Sequence, residues 1–192
     1  MQTYSHLIIT AALKRKYEDT SLSKYETGAL LLGSVMPDMP LVGLSALFLA
    51  QKFWLGDGNP SEGLFGAAYD QLYFNDPVWL AGHAAFHAPP MLLLYLTLGY
   101  WFGVRGGRRW GRCLFWFAVG CGLHSAIDIV THHHDGPLLL FPFDWQTRFR
   151  SPVSYWDPEH YGGIFAPLEH VLNVVLLVWL VLSRRGGNQH ND

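Results

Sequence analysis

Apolar positions in this chain gather in four long stretches, each broken or bounded by polar residues of an unusual kind. Residues 28–50 are apolar except around Pro37-Asp38-Met39-Pro40, and residues 78–104 carry His83, His87 and the pair Pro89-Pro90. Residues 110–130 carry His124 and Asp128 near their end, and residues 163–183 carry Glu169 and His170 near their start. A helix needs roughly 20 mostly apolar residues to cross a bilayer, so each stretch reaches that length only if its polar members face inward. The pattern predicts an all-α, polytopic membrane helix bundle, one domain over residues 1–192, with a polar site at one end. About four spanning segments, joined by short half-helices, are expected on that length criterion. A soluble helical protein with unusually greasy core helices is the competing reading.

The joints between the stretches are polar and rich in Gly and Pro. Residues 51–77 contain the turn signal Asp57-Gly58-Asn59-Pro60, Arg105-Gly106-Gly107-Arg108-Arg109 forms a short basic loop, and residues 131–162 are rich in His, Asp, Pro and aromatics. Residues 3–13 read as a short amphipathic helix, with no basic region or small-residue cleavage site of a secretory signal. Both cysteines, Cys113 and Cys121, fall two turns apart on one predicted helix, too far along its axis to pair with each other.

Composition fits the membrane reading. Hydrophobic residues reach 50% and charged residues only 15%, against roughly 25% charged in a soluble domain. The formal net charge is -2, and the 13 Lys and Arg form short clusters with no stripe, which leaves no footprint for a nucleic acid. The mean hydropathy of +0.13 is low for a membrane protein, so polar groups must occupy the interior.

Charge also orders the topology. Basic clusters at Lys14-Arg15-Lys16, at residues 105–112 and at Arg184-Arg185 mark one face, and Lys and Arg collect on the cytoplasmic side. His83, His87, His124, Asp128, Glu169 and His170 all fall toward the opposite, outer face. If residues 3–13 and 28–36 form an antiparallel hairpin, His6 and Asp38 join that same layer.

Within the layer, His124 and Asp128 are four apart, which stacks their side chains on one helix face. Imidazole and carboxylate placed together in an apolar segment point to a metal such as zinc. His83 and His87 repeat the spacing just before Pro89-Pro90, so one can be a ligand and the other a group that supports that ligand or transfers a proton. Asp38 sits between two prolines in an apolar stretch, where irregular backbone is tolerated only if protein buries it or it lines a wet cavity. The run His132-His133-His134 follows Asp128 closely and offers His134 as a ligand of a further metal. Arg148 and Arg150, in the same loop, suit a phosphate. No His-Glu-x-x-His pair, Gly-x-Ser-x-Gly elbow or phosphate-binding glycine loop is present, so metal-free nucleophilic catalysis has no candidate.

Together, Ser5-His6-Leu7, Pro37-Asp38, Gly82-His83-Ala84-Ala85-Phe86-His87 and Gly122-Leu123-His124 with Asp128, Thr131, Gly136 and Pro142 resemble the membrane-bound metal-dependent hydrolases, bacterial inner-membrane proteins of largely unassigned substrate. The order of these motifs is also similar to that of zinc-dependent phospholipase C and the related single-strand nucleases. That resemblance implies one zinc held by Asp38, His83 or His87, His124 and Asp128. It implies a second on His6 with Asp128, and a third that includes His134.

The expected function is therefore a multi-pass inner-membrane hydrolase with one or two zinc ions, manganese being a substitute. Metal-activated water would attack a phosphoester or other ester of a lipid-like or amphipathic substrate. Asp38 or His87 would take the proton and Arg148 or Arg150 would hold the phosphate. Trp145, Tyr155 and Trp156 would lie at the headgroup level of the outer, periplasmic side. The alternative is a non-enzymatic metal- or haem-binding membrane protein, with His87 and His124 as axial ligands. Oligomeric state and the role of Glu169 and His170 stay open.

Overall fold

The structure, a computed structural model, describes residues 1–17, 22–54 and 64–187. The turn signal at residues 57–60 and the side chains of Arg184 and Arg185 lie outside the described residues. Helix makes up 74% and the described residues hold no strand, so the all-α class stands. The helices are α1 (Thr3–Lys16), α2 (Lys24–Gly33), α3 (Met39–Trp54), α4 (Ala67–Asn75), α5 (Pro77–Ala84), α6 (Pro89–Gly99), α7 (Arg109–Thr131) and α8 (Gly162–Gly187). A single 3-10 turn, Met36–Asp38, leads into α3, another, Pro158–His160, leads into α8, and a π-helical segment, Tyr100–Arg105, extends α6.

Prolines decide where the apolar stretches break. Pro89 and Pro90 occupy the first turn of α6, where a missing N–H goes unmissed, and Ala88 before them is extended. The stretch 78–104 therefore becomes an 8-residue α5 and an 11-residue α6 around a corner. Pro37 likewise ends α2 in the 3-10 turn, and α2 meets Met36–Trp54 at a 46° bend. Two helices, α7 and α8 over Gly162–Ser183, are long and apolar enough to cross a membrane, or three spans if the bent pair counts as one. The expected count of about four thus reduces to two or three.

α7 is the axis of the bundle, and glycines let its neighbours approach it. A Cβ on Gly33 of α2 would stand 2.1 Å from the Phe117 carbonyl oxygen, and one on Gly120 of α7 would stand 2.2 Å from that of Leu30. On another face, Gly103 and Gly111 bring the π-helical segment equally close to α7. Small residues at such contacts are how helices pack in lipid, where burial of apolar area gives no net drive. α1 lies along α8. Phe48, Tyr69 and Trp79 join α3, α4 and α5 in one apolar cluster.

Polar contacts identify the two ends of the bundle. At one end the Arg112 Nε stands 3.1 Å from Glu26 Oε1, Arg109 lies 3.5 Å over the Tyr25 ring, and Arg15 donates to the Ser183 carbonyl at 2.7 Å. The N-termini of α1 and α8 and the C-termini of α2 and α7 lie at the other end. The segment 132–157 covers that end, pinned by Tyr155 N–H to the Thr131 carbonyl (2.9 Å) and Ser151 Oγ to that of Val130 (2.6 Å).

Candidate metal centre

The two breaks and the end of α7 converge on one point. Asp38 closes the 3-10 turn, His87 sits in the corner between α5 and α6, and His124 and Asp128 share a face in the last turns of α7. His124 Nε2 lies 2.9 Å from Asp128 Oδ2 and 3.4 Å from Asp38 Oδ1. His87 Nε2 lies 3.6 Å and 3.8 Å from the same two oxygens. One ligand atom from each of the four lies within 4.8 Å of the others, the pattern of a possible metal-binding group. Donors about 2.1 Å from one tetrahedral ion stand about 3.4 Å apart, which is the middle of these distances.

The orientation of the rings matters more than the distances. His87 Nδ1 is 2.7 Å from the His83 carbonyl oxygen and His124 Nδ1 is 2.8 Å from that of Ser34. A carbonyl only accepts, so each Nδ1 carries the hydrogen and each Nε2 of the neutral ring presents its lone pair. Both Nε2 atoms are buried and make no hydrogen bond. Two imidazole lone pairs and two carboxylates thus face one another in a space closed to solvent on most sides. Without a cation or added protons between them they repel, and with a cation each is a ligand. A ligating histidine ordinarily has its other nitrogen held in this way.

The other oxygen of Asp128 faces the N-terminal segment. Oδ1 lies 3.0 Å from His6 Nε2, 2.8 Å from the Met1 backbone nitrogen and 3.6 Å from His132 Nδ1. The His6 ring stacks on that of His124, with centroids 3.7 Å apart, and neither of its buried nitrogens makes a hydrogen bond. Thr3 Oγ1 donates to Asp38 Oδ2 at 2.5 Å. The α1–α2 arrangement thus carries His6 into the layer, where it meets Asp128 while Thr3 meets Asp38.

The remaining sequence candidates fall outside the four. His83 is buried behind His87, 4.2 Å between ring centroids, and lends it a backbone carbonyl. His134 is exposed and packs on Phe74 and Trp156, whereas His132 is the member of the run that reaches Asp128. Arg148 donates to the Gly136 carbonyl and lies 5.5 Å over Tyr73, and Arg150 is exposed. His170 bonds Tyr4 at the surface (3.0 Å), while Glu169 is buried against α1. Trp145 and Trp156 are exposed on the covering segment. There, burial pushes the Tyr155 hydroxyl above its ordinary range, and the hydrogen bond from His160 holds the Asp157 carboxyl below its own.

Three contributors escaped the sequence reading. Ser34 acts through its carbonyl, which no side-chain pattern reveals. Ser125 donates to the His87 carbonyl, and its position next to His124 was the only clue. Thr3 on Asp38 required the packing of α1.

No curated protein and no solved structure matches the chain. Residues 1–188, nearly its whole length, match the YdjM inner membrane protein family, and the chain belongs to that family.

Proposed function

We propose that this protein is a metal-dependent membrane hydrolase acting on a phosphoester or other ester of a lipid-like substrate. The observation that carries the reading is the pair of buried, hydrogen-bond-free Nε2 atoms of His87 and His124 facing Asp38 and Asp128. Two imidazoles and two carboxylates suit zinc, and manganese next. A bound ion of this kind brings the pKa of its water toward about 7 and polarises the substrate oxygen. Of the four side chains Asp38 is the most exposed, at 20% against 6% or less for the others, so it is the one that meets the reacting water and takes its proton. Arg148, steadied by Gly136 and Tyr73, would hold the phosphate, with the exposed Arg150 as the alternative. His6, beside Asp128, would be the residue to hold a second ion. Motif order similar to that of the membrane-bound hydrolases and phospholipase C supports the same chemistry. Exposed aromatics on the covering segment, Phe143, Trp145, Phe149 and Trp156, fit an interfacial position and an amphipathic substrate.

The haem reading fits less well. The rings of His87 and His124 have centroids 5.0 Å apart, and both nitrogens are directed at carboxylates, which leaves no slot for a porphyrin. Elemental analysis of the purified protein tests the proposal. Zinc or manganese should be present, lost in His124→Ala and Asp128→Ala and retained in Cys113→Ala, and the loaded protein should cleave phosphoester lipids in vesicles. Equal metal content in all variants, or a Soret band, would overturn it.

A further inference from the structure

Glu169 lies near the start of α8, in one of the most apolar segments of the chain, and is 3% exposed. An ionisable side chain at such a place is costly and marks a task. Its contacts all run to α1. Oε1 accepts from the Gln2 backbone N–H at 2.8 Å and from the Ser5 hydroxyl at 2.5 Å, and one turn along α8 Asn173 Nδ2 donates to Ser5 Oγ at 2.7 Å. α1 has no cap of its own, since the Gln2 side chain bonds none of its first N–H groups. A carboxylate there meets an otherwise unpaired N–H and the positive end of the helix dipole. Chain ends fray unless tied down, and a 14-residue helix is marginal alone. The residue after Ser5 is His6, whose Nε2 stands 3.0 Å from Asp128 Oδ1.

We infer that Glu169 is a positioning residue of the metal centre: it caps α1 from the adjacent α8 and thereby holds His6 against Asp128. This rests on the metal reading given above. Only Oε1 makes these bonds, while Oε2 is buried without a hydrogen bond. Glu169→Gln therefore keeps the cap and Glu169→Leu removes it, which separates positioning from direct ligation.

The test uses the full chain in detergent, with Co²⁺ as the ion, its visible spectrum and affinity as one readout, and amide exchange over residues 2–10 as the other. Glu169→Leu should weaken Co²⁺ binding about 10–100-fold, the scale of a lost orienting partner, and reproduce the spectrum of His6→Ala. The double variant should be no worse than His6→Ala alone, because the two act through one contact. Amide exchange over α1's first turn should accelerate. Glu169→Gln should stay within about fivefold of wild type, the scale of a carboxylate's interaction with a helix end. If Glu169→Leu does not fold, Ser5→Ala, which removes the hydroxyl shared by Glu169 and Asn173, should shift both readouts the same way. Glu169→Gln as damaging as Glu169→Leu, additive losses in the double variant, or unchanged exchange would overturn the positioning role. A wild-type protein that takes up no Co²⁺ would instead overturn the metal reading, and exchange would still report whether Glu169 holds α1.

Discussion

His83 and His87 look alike in the sequence, yet they contribute through different atoms. His87 turns its Nε2 to the two carboxylates, while His83 gives its backbone carbonyl to His87 Nδ1. Replacing the His83 side chain leaves that carbonyl in place. His87→Ala should therefore weaken zinc binding by about 100-fold or more, and His83→Ala by no more than the roughly tenfold typical of an outer partner, measured by competition with a chelating dye. An equal loss in both would show that the His83 ring itself is required. The spacing of His124 and Asp128 was legible because an α-helix puts residues four apart on one face. The triple histidine was not, because the backbone leaves the helix there. His132 is already extended, with φ −122 and ψ 126, so it stays under the end of α7 beside Asp128 while His134 is carried out to Phe74 and Trp156.

At the scale of elements, the glycine contact between α2 and α7 sets the site's dimensions. It brings Ser34, one residue past the end of α2, to 2.8 Å from His124 Nδ1. Gly120→Leu should force the helices apart, because its Cβ meets the Leu30 carbonyl at 2.2 Å. A loss of about 1–3 kcal/mol in stability is expected, the cost of overpacking, together with weaker metal binding. Gly122→Ala, whose Cβ meets nothing within 4 Å, is the matched control and should be neutral or slightly stabilising in a thermal melt. The apolar stretches and their proline breaks were evident from the chain alone. That a Pro-Pro pair would turn 78–104 into two short helices, and lower the count of spans, depended on how the corner at Ala88 folds.

For the whole molecule, the separation of basic clusters from the His/Asp layer survives folding: Arg15, Arg109 and Arg112 hold one end, and the possible metal-binding group lies at the other. Lys and Arg are ordinarily kept cytoplasmic, and we propose on that ground that the covering segment 132–157 faces outward. Gln146→Cys, an exposed position in that segment, introduced where Cys113 and Cys121 have been replaced by Ala, should react with an impermeant maleimide in intact cells. Labelling only after lysis would place the site on the cytoplasmic face.

The contact between α1 and α8 has a consequence for biogenesis. Gln2 and Glu169 are 167 positions apart, so α1 is made long before the carboxylate that caps it. Asp38, His87, His124 and Asp128 all precede α8, so of the contacts in that layer it is the fixing of His6 beside Asp128 that waits for α8. Synthesis order thus makes the docking of α1 a late event, tied to the arrival of α8.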